Sequence, residues 1–235
     1  MKKLFTFMLA AFLILSLVGC SNTTPQESNS PQESNSPQES NSPQEEQEQT
    51  NGTEVDKQAY EYEQAQKAYA ELNKAANLCE YAMDVIYGAW YFAIYEAEMG
   101  VSDYKNYDGF EVRTGLKYSE IETAMKSIGL SYDKSYYLTE ISYSVKIAQL
   151  CLKNKNVYAD AQSCIDNAKA YLKEVTNKYA DYTAYPTLKL YYSEVSSYLE
   201  FAKSPSGSFS QLKTTIDNYE TNIRTYKNDL SFTLE

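Results

Sequence analysis

Carboxylates are the most abundant chemistry-bearing groups in this sequence, with 32 Asp and Glu against 21 Lys and Arg. Several stand in close pairs: Glu61 with Glu63, Glu96 with Glu98, Glu120 with Glu122. Residues two apart on a helix point about 200° away from each other, so these pairs do not converge. Glu80 and Asp84, four apart, share one helix face, read as an exposed one. Carboxylates brought together from two different helices could cleave a glycosidic bond as acid and base. An extracellular hydrolase using carboxylate catalysis is therefore the alternative functional reading. Other chemistries are closed. The chain has no histidine, which removes imidazole base catalysis, His-dependent triads and His-bearing metal sites, the Glu-x-x-His di-iron motif included. It has 8 glycines and no Gly-rich loop of the kind that cradles phosphate. The sequence assigns no catalytic residue, no metal ligand and no cofactor.

Tyrosine is abundant, at 24 residues, while Arg113 and Arg224 are the only arginines. Tyr104, Tyr107, Phe110 and Arg113 fall together in segment 101–118, read as the longest connection inside the domain. Tyr and Arg are enriched at binding hot spots, and long loops carry function more often than short ones. These four residues are the expected partner contacts, and Asp108-Gly109 suggests a small hairpin among them. A second aromatic cluster runs from Tyr87 to Tyr95 and holds the single tryptophan, Trp90. Its rings cover all faces of a helix, which points to core.

Of the four cysteines, Cys79 falls on a seam of small residues and reads as a buried hydrophobe. Cys151 and Cys164 flank a helix–helix turn centred near Lys155. Across an antiparallel hairpin their offset would be roughly 6–8 Å along the axis. A disulfide needs Cα atoms within about 7 Å, so a bridge is allowed and not implied. No C-x-x-C occurs, so a thioredoxin-like motif and a zinc ribbon are both absent.

The N-terminus carries a different message. Lys2 and Lys3 precede an apolar run from Leu4 to Leu17, too short to cross a bilayer core about 30 Å thick as a helix. Leu17-Val18-Gly19-Cys20 follows. This tetrapeptide resembles the lipobox of bacterial prolipoproteins, a resemblance confined to residues 1–20. It implies a signal peptide over 1–19, and a diacylated Cys20 as the mature N-terminus. Two acyl chains give stable anchoring where one does not. The expected location is the extracytoplasmic face of the cell membrane. Losing Lys2 and Lys3 takes the formal charge from -11 to -13. Anionic headgroups repel such a chain, so lipid must supply the anchor. The same charge argues against a nucleic-acid partner.

Residues 20–53 read as the lipidated Cys and a tether. Its core is the hexapeptide series TPQESN, SPQESN, SPQESN, SPQE, with no aromatic residue to nucleate packing. Regular proline and six Glu between Ser21 and Thr53, unopposed by Lys or Arg, favour extension.

From Glu54 onward apolar positions recur at spacings of three and four, as in Leu212, Ile216, Tyr219, Ile223, Tyr226 and Leu230. The expected helices are 54–99, 119–128, 133–153, 157–180, 186–203 and 208–231. Ser119-x-x-Glu122 and Ser208-x-x-Gln211 match capping boxes, Gly100 and Gly129 match C-terminal caps, and Pro186 suits a first turn. The fold expected for 54–235 is all-α: a bundle of four to five main antiparallel helices. The first is long enough to project from the bundle or bend near Gly88. The expected function is a surface-exposed, lipid-anchored protein whose Tyr-rich helical head acts as a binding module. Its partner would be an envelope protein, a glycan or a phage component. Deleting two hexapeptide repeats should leave the melting temperature of the head unchanged, as scanning calorimetry would show; a large shift would mean that the tether packs on the head.

Overall fold

The computed structural model describes residues 47–131, 133–175 and 184–234. The signal peptide, Cys20 and most of the tether lie outside the described residues, as do the last residues of the helix expected over 157–180. Among the described residues there are seven α-helices and no strand. They are α1 (Gln47–Tyr91), α2 (Asp103–Thr114), α3 (Tyr118–Ser127), α4 (Ile141–Asn154), α5 (Val157–Glu174), α6 (Ala184–Lys203) and α7 (Phe209–Leu234). A π turn, Phe92–Glu96, prolongs α1, and a 3-10 turn, Ser135–Thr139, precedes α4. The domain is an all-α bundle. Helix α1 begins at Gln47, inside the segment read as tether.

Helix α1 is the element the others gather round. It packs against α2, α4, α5, α6 and α7. Its inward positions are mostly small: Ala65, Ala68, Ala75, Ala76, Cys79, Ala82 and Ala89 are all fully buried. Small side chains let several helices approach one axis, while Leu72, Met83 and Ile86 fill the gaps between them. Residues 55–60 are exposed and burial begins at Glu61, so the early turns carry no core.

Side-chain contacts fix the directions. Asn167 donates to Glu71 and Lys67 sits over the Tyr171 ring, so α5 runs antiparallel to α1. Ser144 donates to the Ala89 carbonyl at 2.8 Å, and Lys155 lies over the Tyr81 ring, so α4 is antiparallel to α1 as well. Helices α4 and α5 therefore follow each other along α1 as one rod broken at Asn156, which has a left-handed φ of 60°. They do not fold back as a hairpin. Helix α6 runs parallel to α1, with Tyr191 donating to Asn73 at 2.8 Å. Helix α7 returns antiparallel, with Tyr62 donating to the Thr233 carbonyl and Tyr69 to that of Lys227.

This topology corrects the cysteine geometry. Cys164 lies beside Glu71 and Lys74 of α1, whereas Cys151 lies one turn before Lys155, itself level with Tyr81. The two thiols are about ten residues apart in α1 register, roughly 15 Å. Cys79, Cys151 and Cys164 are all free, and Cys79 and Cys151 are buried. Burial pushes the thiols of Cys79 and Cys151 up to about 12, which keeps them protonated and unreactive.

Other local expectations divide. Ser208 and Gln211 form the reciprocal capping box, at 2.8 and 3.3 Å. Gly129 ends α3 at φ 74°, with Leu130 and Gly129 donating back to Met125 and Lys126. Ser119 does not cap α3. Its N-cap is Lys117, whose N–H donates to the Glu120 carboxylate at 2.9 Å. The segment 133–153 is two elements, because Glu140 is extended between the 3-10 turn and α4. No hairpin forms at Asp108-Gly109. Segment 101–118 is not a loop but holds α2, ended by Gly115 at φ 70°.

Helix α1 runs unbroken through Gly88. The glycine lets α2 come close: a Cβ there would stand 2.5 Å from the Arg113 carbonyl oxygen. Gly109 does the same on α2, where a Cβ would meet the Phe92 ring at 2.7 Å. Gly88→Ala should therefore overpack this crossing and cost about 1–3 kcal/mol, read as a lower midpoint in urea unfolding. A variant more stable than the parent would show that α2 yields freely.

Candidate functional site

The four expected contact residues separate along α2. Tyr107 is 3 % exposed, stands edge-on to Tyr118 at 5.0 Å and donates to the Met125 sulfur at 3.3 Å. Phe110 is fully buried, edge-on to Phe92 at 5.6 Å. Both are core residues, a correction that follows from α2 being a helix with an inward face. Tyr104 is 72 % exposed. Arg113 faces outward too, but it is engaged: its Nε donates to Glu96 Oε2 at 3.0 Å, its Nη2 donates to Glu96 Oε1, and its guanidinium lies 4.5 Å from the Tyr91 ring centre.

Arg113 thus leads to the cluster that the sequence assigned to the core. Phe209, the first residue of α7, is ringed by Tyr87 at 5.0 Å, Tyr95 at 5.8 Å, Tyr91 at 6.1 Å and Trp90 at 6.5 Å. Tyr87, Trp90, Tyr91 and Phe209 are half-buried, and Tyr95 is 62 % exposed. Ile94, Met99 and Val112, close by in sequence, are exposed as well. The platform lies about 65 Å along α1 from Gln47.

Its assembly depends on the π turn. Tyr87, Tyr91 and Tyr95 are spaced by four, which on an α-helix drifts about 40° per step. The wider turn over Phe92–Glu96, closed by the Ala97 N–H donating to the Phe92 carbonyl at 2.9 Å, reverses that drift. All three rings consequently meet Phe209. Two side chains brace the bend. Ser144 gives the Ala89 carbonyl a donor where the helical ladder is disturbed. Asn106, buried, accepts from the Glu98 N–H at 3.1 Å and donates to the Glu98 carbonyl at 3.0 Å. The sequence signal for the platform was the four-residue tyrosine spacing. Phe209 carried no signal of its own.

A second feature adjoins it. Between α1 and α7 runs a groove of about 420 Å³ lined by Glu80, Asp84, Glu220, Ile223, Arg224 and Lys227. It continues past Asp84 and Glu220 to Tyr87, Lys213, Ile216 and Asp217. Lys227 pairs with Glu80 at 3.6 Å, and Lys213 with Asp217 at 3.1 Å. Burial and then the neighbouring Glu80 push the Asp84 carboxyl above its ordinary range. Glu220 is raised by burial and by Asp84, Glu80 and Asp217, with Arg224 opposing. Asp84 is solvent-exposed, so water screens its share of the repulsion. No group of three or more Cys, Asp or Glu among the described residues is placed to hold a metal ion. No described helix is long and apolar enough to cross a membrane.

No family model, curated protein or solved structure matches this chain.

The carboxyls of Asp84 and Glu220 both sit above their unfolded values, so their ionised forms cost stability at neutral pH. That cost fades as pH falls through the raised values and is gone below the unfolded carboxylate range near 4. Asp84→Asn and Glu220→Gln should each raise the melting temperature at pH 7 by about 1–2 °C. The gain should vanish near pH 4, and a gain that grows on acidification would reverse the assignment.

Proposed function

We propose that this chain is a lipid-anchored binding module at the extracytoplasmic face of the cell membrane, held by Cys20 and presenting the Phe209 platform to a partner. The observation that carries the reading is the aromatic group in which half-buried Tyr87, Trp90, Tyr91 and Phe209 surround and support the exposed Tyr95, flanked by the Arg113–Glu96 pair. Rigid rings with polar tips give large contact area at low entropic cost. The bidentate ion pair beside them adds direction to the contact. The site stands at the C-terminal end of α1, about 65 Å along the helix from Gln47. An envelope protein, a wall or host glycan, or an arriving phage component all fit this chemistry.

Two measurements test it. Cys20→Ser should release the protein from membranes on fractionation; continued retention sinks the anchor. The full chain in detergent micelles, presented with separated wall glycan, membrane protein and secreted fractions, should be retained by one of them. Tyr95→Ala and Arg113→Ala should each cut that retention about tenfold. Arg113→Ala should cost under about 1 kcal/mol of stability, because its ion pair is half-exposed. Loss of retention only with loss of helical circular dichroism would leave these residues a structural role.

A further inference from the structure

Where α4, α5 and α6 meet, the fold leaves a cleft of about 310 Å³ lined by Lys146, Gln149, Leu150, Lys153, Tyr158 and Lys203. Half of that lining is cationic and none of it is acidic. Acidic residues outnumber basic ones in the chain, 32 to 21, so the sign of this surface runs against the whole. The α1/α7 groove and the clefts beside Glu120 and Glu194 all carry a carboxylate in the wall.

Helix register brings the lysines together. Gln149, Leu150 and Lys153 follow Lys146 by three, four and seven residues, so the four form one stripe of α4. The end of α6 meets that stripe, with the Gln149 amide donating to the Lys203 carbonyl at 3.1 Å. Lys203 therefore stands between the other two lysines, which are about 10 Å apart along α4. Its ammonium donates to Gln162 at 3.2 Å and to Glu200 at 2.8 Å. Glu200 is exposed and lies outside the lining, so it offsets one of the three charges. The side chains of Lys146 and Lys153 form no ion pair among the described residues.

Helix ends do not account for the cluster. A lysine in a last turn can serve the free carbonyls of that turn. At α6 those carbonyls are already taken. Gln149 reaches Lys203, the Tyr158 hydroxyl donates to Ala202 at 3.3 Å, and the Ser204 N–H donates to Glu200 and Phe201. Lys146 lies in the middle of α4, away from either end. The ammonium groups are left around a cleft with Leu150 and the Tyr158 ring in its wall, held by the same hydrogen bonds. Like charges gathered at one concavity repel one another, and a bound anion relieves that repulsion.

We propose that this cleft binds the phosphate group of a phosphate ester, with Lys146, Lys153 and Lys203 around the oxyanion and Leu150 and Tyr158 against the carbon body. Lysine meets phosphate as a point charge from any direction, which suits oxygens set tetrahedrally. A planar carboxylate is matched better by a guanidinium fork, and the lining has no arginine. The volume is at the lower end for a small-molecule site. Two sources supply this chemistry: a phosphorylated polyol, free or within a polymer, and the headgroup of a phospholipid. The proposal does not depend on the Phe209 platform.

Calorimetric titration of the full chain in detergent micelles at low salt tests it. The probes are glycerol 3-phosphate and dibutyryl-phosphatidylglycerol, with glycerol and acetate as controls. At least one phosphate should bind, and neither control should. Glycerol 3-phosphate alone binding assigns the polyol source; the lipid alone assigns the headgroup; both binding makes the phosphate itself the determinant. Lys146→Gln and Lys153→Gln, both at exposed positions, should each weaken binding about threefold or more, and the double variant about tenfold or more. Lys189→Gln removes the same charge from an exposed position of α6 outside the cleft and should leave affinity unchanged. Tyr95→Ala should leave it unchanged too, which separates this site from the platform. The proposal is overturned if neither phosphate binds at about 10 mM, or if acetate or glycerol binds as well as the phosphates. It is overturned equally if the double variant binds as the parent does, or if Lys189→Gln weakens binding as much as Lys153→Gln.

Discussion

The whole domain depends on how closely helices can approach α1. Its inward face is built mostly from Ala and Cys, so α4, α5, α6 and α7 can all pack on one axis. Larger residues at Ala68, Ala75 or Ala82 would push one neighbour outward and open a cavity beside another. The same logic operates at the end of the helix in a sharper form. Gly88 and Gly109 remove the Cβ atoms that would hold α2 away, and α2 thereby delivers Arg113 to Glu96 and Tyr91. Closeness of backbones, more than any polar contact, sets the position of the candidate surface.

Much of the fold was legible because bundle helices must repeat their apolar residues every three or four positions. The stripes of α5, α6 and α7 are core in the structure, Leu212, Ile216, Ile223 and Leu230 among them. The capping box at Ser208 was equally readable, since it needs only local geometry. What the sequence hid was tertiary. A short polar run at Lys153–Asn156 serves a hairpin or a break in one rod equally well, and only the partner helix decides. Helix α2 was read as a loop because Gly109, a weak helix former, sits in it. Contact with Phe92 is what justifies that glycine, and contact is not written in spacing.

The site was legible only in part for the same reason. Residue types enriched at interfaces selected Tyr107 and Phe110, and burial claimed both. Those types cannot tell an inward ring from an outward one until the helix face is known. The Tyr87–Tyr95 cluster was assigned to the core on the ground that its rings cover every side. Much of that is right: Phe92 is buried and Tyr87, Trp90 and Tyr91 are half-buried, while Tyr95, on the π turn, is exposed. A change of helical pitch leaves no compositional trace. The acidic groove was visible only as Glu80 and Asp84, because Glu220 comes from another helix.

The order in which α1 meets its partners has a consequence in time. Glu71 waits for Asn167, 96 residues on, and Tyr62 for Thr233, 171 residues on. Contacts so distant in sequence are slow to close, because loop entropy is lost before they are rewarded. A chain made from its N-terminus would emerge with its small-residue seam bare and have it covered only as α4, α5, α6 and α7 followed. Alanine suits that interval. It forms helix without help and offers little greasy surface to a wrong neighbour, so the residues that permit close packing in the finished bundle also keep the unfinished one from sticking.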